Sequence, residues 1–222
     1  MTLNPSGGNM YAWVTDTWNA IKGRCPHDCS YCYMKRFGEQ KPARFDAKEL
    51  KTDLQSGKTI FVGSSCDMFA ADIPAEWIRA TLDHCRKYPG NRYIFQSKNP
   101  GRMVAILAEY PTVDAVVGTT IESNRFFAEF MGAAPDPLRR GAALSLFPGE
   151  KFVTIEPVLD FDVEELFAVV KMSGAKFVNI GADSGNNGLK EPPSGKVFLL
   201  IDALTMAGIQ VRQKRNLSRL TQ

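Results

Sequence analysis

Short apolar runs alternate with amphipathic segments along most of the chain. Six runs rich in β-branched or aromatic residues have the length and composition of buried strands. They occupy residues 59–63, 92–97, 113–121, 151–155, 177–181 and 208–212. A weaker strand pattern at residues 12–21 precedes them. Because these runs are close to continuously apolar, they indicate strands of a parallel sheet that is covered on its faces.

Three segments between these runs have the spacing of amphipathic helices. They lie at residues 73–88, 162–172 and 194–207. Strands that alternate with helices predict an α/β fold with a parallel sheet of roughly six βα units. A closed barrel has eight such units, so the pattern fits either a partial, open β/α barrel or a doubly wound sheet.

The composition is that of a globular protein with a hydrophobic core. The chain has 222 residues, of which 44% are apolar and 23% charged, and we expect a single domain over residues 1–222. The polar residues 1–10 lack the apolar stretch of a signal peptide, and residues 1–12 are predicted to be a flexible N-terminus. No apolar run has the ~20 residues that cross a bilayer. We therefore expect a cytoplasmic protein without membrane association.

The net charge of +3 is by itself too small to indicate a nucleic-acid-binding protein. The charge is unevenly distributed, because residues 212–222 contain basic residues and no acid. The basic residues are Arg212, Lys214, Arg215 and Arg219. This C-terminal tail is predicted to be either a solvated basic terminus or a phosphate-binding segment.

Three of the cysteines, Cys25, Cys29 and Cys32, fall within eight residues with the spacing C-x3-C-x2-C. In a reducing compartment such a group indicates metal binding rather than disulfides. Three thiolates can bind three irons of a cubane cluster and leave the fourth iron without a protein ligand. A structural zinc site or a ferredoxin-type cluster needs a fourth ligand, for which His27 or Cys66 is a candidate. A free buried thiol is the favoured interpretation of Cys66.

The motif C-x3-C-x-aromatic-C, with Tyr31 as the aromatic residue, resembles the signature of the radical S-adenosylmethionine (radical SAM) superfamily. The order of segments 64–69, 96–100, 118–122, 154–157 and 181–185 is also similar to an uncharacterised, phage-associated family that itself resembles spore photoproduct lyase. The chain departs from that family in its standard spacing between the first two cysteines, where members often have a longer gap. The resemblance covers about residues 17–216 and implies a partial, open β/α barrel of the radical SAM type.

The resemblance also implies a reaction. In the superfamily, a [4Fe–4S] cluster, here on Cys25, Cys29 and Cys32, reductively cleaves S-adenosylmethionine, and the 5′-deoxyadenosyl radical takes a hydrogen atom from a substrate. An external electron donor of the flavodoxin or ferredoxin type is then required. The lyase resemblance and the basic tail favour a nucleotide or nucleic-acid base as substrate, and a small metabolite is equally compatible. The alternative is a non-catalytic accessory protein that binds zinc or a ferredoxin-like cluster.

Polar residues follow the predicted strands, at the sheet edge where parallel α/β proteins bind ligands. After the first of the six runs, Ser64, Ser65 and Asp67 offer oxygens to the cofactor's ammonium group, or form a capped turn. The lyase resemblance places a carboxylate-binding lysine at Lys98 and a cofactor-binding hydroxyl at Thr120.

Aromatic and acidic residues complete the predicted site. Tyr31 and Tyr33 flank Cys32 and are predicted to cover the adenine face or to pack in the core. Three acids, each just beyond a strand, are predicted to bind ribose hydroxyls or substrate, or to cap the helices that follow. These acids are Glu122, Glu156 and Asp183.

Overall fold

The computed structural model describes residues 2–8 and 10–222. The strands are β1 (Asn4–Pro5), β2 (Asp16–Trp18), β3 (Ile21–Lys22), β4 (Arg44–Phe45), β5 (Thr59–Val62), β6 (Arg92–Gln96), β7 (Ala115–Thr120), β8 (Lys151–Ile155), β9 (Phe177–Ile180) and β10 (Gln210–Gln213). The α-helices are α1 (Ala75–Arg86), α2 (Pro100–Leu107), α3 (Ala128–Met131), α4 (Pro137–Ser145), α5 (Val163–Ser173), α6 (Ser194–Met206) and α7 (Ser218–Thr221). Short 3₁₀ helices lie at Tyr33–Phe37, Ala47–Lys51 and Arg215–Leu217.

The main sheet has the strand order β1-β2-β5-β6-β7-β8-β9-β10. All neighbours from β2 to β10 are parallel, and β1 is antiparallel to β2. Strands β3 and β4 form a separate two-stranded ribbon. The open, mostly parallel sheet confirms the predicted α/β class. The strand order of the sheet never reverses, so the sheet lacks the point of reversal at which a doubly wound fold binds its ligand. The curvature of the sheet into a partial barrel stays a prediction.

The two faces of the sheet are covered differently. The main hydrophobic cluster includes buried residues of the helices, such as Ile78 of α1, Leu166 of α5 and Leu200 of α6. A second cluster on the other face contains strand residues, such as Phe152, packed against Tyr11 and neighbouring residues of the N-terminal segment. The helices therefore cover one face, and the opposite face is free to carry a ligand site beside the N-terminal segment.

The six predicted strands and three predicted helices are all present, with ends shifted by a few residues. Helices α2, α3, α4 and α7 were not predicted. Both α2 and α4 begin at a proline that follows Asn99 or Asp136, which is a recognised helix start. The longest helix, α6, has 13 residues. Within the described part of the chain, no helix combines the length and apolarity needed to cross a membrane.

The N-terminal segment, predicted to be flexible, contacts the sheet through several of its described residues. Leu3 is buried, and residues 4 and 5 pair with β2. The Tyr11 hydroxyl donates to Gln96 Oε1 over 2.6 Å and lies 2.6 Å from Thr154 Oγ1. Burial of apolar and aromatic side chains fixes this segment on the sheet, although its glycine-rich sequence indicates mobility.

The C-terminal residues, predicted to be a solvated basic terminus or a phosphate-binding segment, contact acidic side chains. Arg212 belongs to β10, and the Lys214 ammonium lies 2.5 Å from Glu156 Oε2. Arg219 pairs with Glu191. The basic side chains of this segment are thus partly neutralised by acids that are distant in sequence.

Candidate functional site

A cavity of about 410 Å³ lies at the carboxyl ends of the parallel strands. All but two of the predicted site residues line it: Cys25, Cys29, Tyr31, Cys32, Tyr33, Ser64, Ser65, Asp67, Lys98, Thr120 and Glu156. Glu122 and Asp183 are buried outside the lining. The folded chain therefore brings together the cysteine loop and the ends of four strands, β5 to β8.

The cysteine loop rests on α3 and the residues after it. Ser30 N donates to Phe130 O over 2.9 Å, and Ala133 N donates to His27 O over 2.8 Å. The Cys29 thiol donates to Met131 O over 3.3 Å. Gly132 has a φ of +59°, and a β-carbon there would overlap His27 O. The close approach of these two backbone segments therefore requires glycine.

Asp67 ties the cysteine loop to strands β5 and β6. Its Oδ2 accepts hydrogen bonds from His27 Nε2 (2.9 Å), Ser97 Oγ (3.0 Å) and the Lys98 backbone N–H (2.8 Å). Its Oδ1 accepts from Phe69 N. Burial raises the pKa of Asp67, but the bond from His27 and the other donors outweigh it and hold the pKa below its usual value. The carboxylate oxygens are therefore already engaged in positioning the site.

A buried charge cluster lies behind the cavity wall. The Lys98 ammonium is 2.8 Å from Glu122 Oε1, and Arg140 Nη1 is 2.9 Å from Glu122 Oε2. Lys98 Nζ also donates to Tyr31 Oη over 2.6 Å and to Cys29 Sγ over 3.3 Å. Glu122 and Arg140 are fully buried. The carboxylate thus holds the lysine beside the motif cysteines, and Arg140 holds the carboxylate.

The charge of Glu122 makes the stability of this cluster depend on pH. Burial raises the pKa of Glu122, but the positive charges of Arg140 and Lys98 have the larger effect and lower it to about 2. A carboxyl whose pKa is lower in the folded state stabilises the fold above its unfolded-state pKa, and this contribution is lost as the pH falls toward the folded-state value.

We therefore expect Glu122→Gln to flatten the dependence of the free energy of unfolding on pH between about 4.5 and 2. Urea denaturation at several pH values in this range measures the slope. Glu129→Gln, at an exposed position, is the control and should keep the wild-type slope. Equal slopes in wild type and Glu122→Gln would contradict the assignment.

A fourth thiol, Cys66, lines the same cavity and is buried. Interaction with the Cys66 thiol lowers the pKa of Cys25 to about 6, although burial opposes this, and it raises the pKa of Cys66. Cys66 is therefore within reach of Cys25. Among the described residues, no three His, Cys, Asp or Glu side chains converge closely enough to bind a single metal ion.

The turn after β5 is held by hydrogen bonds at the cavity rim. The Tyr33 hydroxyl donates to Ser64 O over 2.7 Å. Ser65 N donates to Asn19 Oδ1 over 3.0 Å. Farther along the sheet, Thr120 Oγ1 accepts from Gln96 Nε2 over 3.0 Å. The two serines and Thr120 thus present hydroxyls along a cavity wall with a fixed backbone.

The remaining predicted acids are placed differently from each other. Glu156 lines the cavity and accepts from Lys214 and from Asn216 Nδ2, the latter over 2.9 Å. Asp183 instead accepts from Gly185 N and from the Asn187 side chain within its own loop. Asp183 therefore stabilises a turn beside the site.

Fold and cavity together define an α/β protein with an open, mostly parallel sheet and a cysteine-rich cavity at its strand ends. The chain belongs to the family described as "Protein of unknown function (DUF5131)", which matches residues 9–194. No curated protein matches the sequence significantly.

The fold is similar to solved structures of spore photoproduct lyase. One complexed with dinucleoside spore photoproduct has a TM-score of 0.59 at 10% identity, covering 89% of this chain and 63% of that chain. A mutant with bound AdoMet and dinucleoside spore photoproduct has a TM-score of 0.58 at 10% identity, with the same coverage. A tyrosine-to-phenylalanine mutant has a TM-score of 0.63 at 8% identity, covering 93% of this chain and 78% of that chain. The chain spans less than two thirds of the first two structures, and such low identities establish the fold alone.

Proposed function

We propose that this protein is a radical SAM enzyme that abstracts a hydrogen atom from a nucleotide, a nucleic-acid base or another small metabolite. The observation that carries the proposal is that Cys25, Cys29 and Cys32 line a single cavity at the carboxyl ends of the parallel strands. The fold likeness to spore photoproduct lyase, and the bound AdoMet in one of those structures, support it.

The residues of the cavity fit a [4Fe–4S] cluster. Three thiols spread along one wall are the donor set for three irons of a cubane, and they leave one iron open. The Lys98 ammonium, 3.3 Å from Cys29 Sγ, offers a charge-assisted hydrogen bond to a ligating sulfur. When bound, the cluster and S-adenosylmethionine supply the 5′-deoxyadenosyl radical, with the electron from a flavodoxin- or ferredoxin-type donor.

The chain's own residues bind and orient the cofactor in this proposal. Lys98 binds the cofactor's carboxylate as a buried cation, and the hydroxyls or carbonyls of Ser64 and Ser65 accept from its ammonium group. Thr120 and Glu156 line the same cavity and are proposed to bind ribose hydroxyls. Tyr31 and Tyr33 supply the aromatic surface for the adenine.

Three of the predicted cofactor-binding acids are assigned positioning roles instead. Glu122 lies behind Lys98 and fixes its ammonium. Asp67 holds the cysteine loop and the start of the segment after β6 through its Oδ2. Asp183 stabilises its own loop. These acids act on the cofactor through the residues that they hold.

The position of Cys66 supports a second candidate, a non-catalytic metal-binding protein. Its thiol interacts with Cys25, so four thiols are available at one cavity. A cluster ligated by four cysteines has no open iron for S-adenosylmethionine. Replacement of Cys66 by serine separates the two candidates, because only the four-thiol site loses a ligand.

Anaerobic reconstitution with iron and sulfide tests the proposed function. We expect about four irons and four sulfides per chain, and 5′-deoxyadenosine on reduction with S-adenosylmethionine. Cys29→Ala should lose both the absorption of the cluster and the product, because it removes one of three ligands. Cys85→Ala is the matched control, since Cys85 is buried in α1 outside the cavity.

The reconstituted protein also distinguishes the enzyme from the metal-binding accessory protein. A colourless protein that retains one zinc, or a cluster whose spectrum is unchanged by S-adenosylmethionine, would contradict the enzyme. A cluster that is altered in Cys66→Ser before any cofactor is added would favour the four-thiol accessory protein.

A further inference from the structure

A second cavity, of about 450 Å³, lies on the face of the sheet opposite the helices. It shares part of its lining with the cysteine-lined cavity, including Tyr11 and Lys214. The rest of its lining comes from the N-terminal segment and from strands β9 and β10. The two cavities are therefore neighbours that share these side chains.

Two buried hydrogen-bond donors of this cavity are unsatisfied. Asn179 is 3% exposed, and its side-chain Nδ2 has no partner among the described residues. The Trp13 indole Nε1 is likewise buried without a partner in that part of the chain. Both residues line the second cavity. A buried donor without an acceptor is costly, so two such donors beside one cavity indicate a ligand that accepts hydrogen bonds.

A partly buried cation lies beside these donors. Arg212 of β10 is directly opposite Asn179 of β9 in the sheet, and its guanidinium lies 3.7 Å from the centroid of the Phe177 ring. Two of its nitrogens donate to Gln210 Oε1, while Nη1 has no described hydrogen bond. Burial lowers the pKa of Arg212, and no described carboxylate lies within ion-pair distance.

The charge of the lining is one-sided. Arg212, Lys214 and Arg215 all contribute to the cavity, and its described lining residues include no Asp or Glu. Lys214 is paired with Glu156 on the side of the cysteine-lined cavity. An arginine whose planar fork is only partly used, beside two free N–H donors, matches the geometry of an oxygen anion with several acceptors.

We propose that the second cavity binds an anionic oxygen group of the substrate, a phosphate or a carboxylate, while the rest of the substrate extends past Tyr11 toward the cysteines. Asn179, Trp13 and Arg212 are the binding groups. The substrate role rests on the proposed function. The anion site itself rests only on the side chains of this cavity, and it requires no iron.

The test uses the full chain, isotopically labelled so that the indole N–H signals are seen by NMR. Inorganic phosphate and succinate are titrated separately at constant ionic strength, and Trp13→Phe assigns the Trp13 signal. We expect one of the two anions to shift this signal saturably. Arg212→Gln should weaken that binding about tenfold, since a charged hydrogen-bond partner is lost. Asn179→Leu should weaken it by a similar factor.

Arg139→Gln, at an exposed position on α4, is the matched control and should bind as the wild type does. Thermal unfolding of each variant identifies loss of fold separately from loss of binding. Failure of both anions to shift the Trp13 signal, or equal binding by wild type and Arg212→Gln, would overturn the proposal. Anion binding by a protein that takes up no iron on anaerobic reconstitution would support this site while contradicting the proposed function.

Discussion

Arg140→Met is expected to lower the free energy of unfolding by about 3–5 kcal/mol. Arg140 is fully buried, its Nη1 lies 2.9 Å from Glu122 Oε2, and the same nitrogen donates to Thr120 O. Methionine fills much of the volume but leaves a buried carboxylate with one cation fewer and a carbonyl without its donor. Urea denaturation at neutral pH measures the change.

Arg139→Met provides the control for this substitution. Arg139 is adjacent in the same helix but exposed, so its replacement should change the free energy of unfolding by no more than about 0.5 kcal/mol. Similar losses in the two variants would mean that the helix, and not the buried ion pair, accounts for the effect.

Lys98→Met is expected to reduce the formation of 5′-deoxyadenosine at least about 100-fold in the reconstituted protein. The substitution removes the buried ammonium that is proposed to bind the cofactor's carboxylate, and Arg140 remains to balance Glu122. The affinity for S-adenosylmethionine should fall with it, which equilibrium dialysis measures.

Two comparisons separate binding by Lys98 from a purely structural role. Iron content should stay near the wild-type value in Lys98→Met, since the cysteines remain, and Lys98→Arg should recover part of the affinity because it retains the charge. Lys87→Met, at an exposed position, should have no effect. Normal cofactor affinity in Lys98→Met would refute the assignment.

The sheet could be predicted well because each strand carries its own signal. The run of residues 151–155 is apolar and β-branched whatever surrounds it, and it forms β8 with those bounds. The polar residues after such strands, Ser64 and Lys98 among them, converge because parallel strands end at one edge. Local pattern together with this single topological rule therefore places most of the predicted site residues in one cavity.

Long-range pairing was beyond the sequence pattern. Arg140 has no local feature that distinguishes it from Arg139, and only the fold aligns it with Glu122. The burial of Tyr11 depends on partners 85 and 143 residues away, Gln96 and Thr154. Asp183 follows a strand as the cavity-lining acids do, but its carboxylate accepts hydrogen bonds from its own loop and does not line the cavity. Which hydrogen-bond partner each of these side chains takes depends on the groups that the fold brings near it.

The consecutive strand order has a consequence for synthesis on the ribosome. From β6 onward, each parallel strand pairs with the strand translated before it, so this part of the sheet can grow from one edge as the chain emerges. The cysteine loop, however, is supported by residues 130–133, roughly a hundred positions downstream. A nascent chain that ends before these residues carries its three thiols on a loop that lacks this support, so metal loading is expected to follow translation of α3.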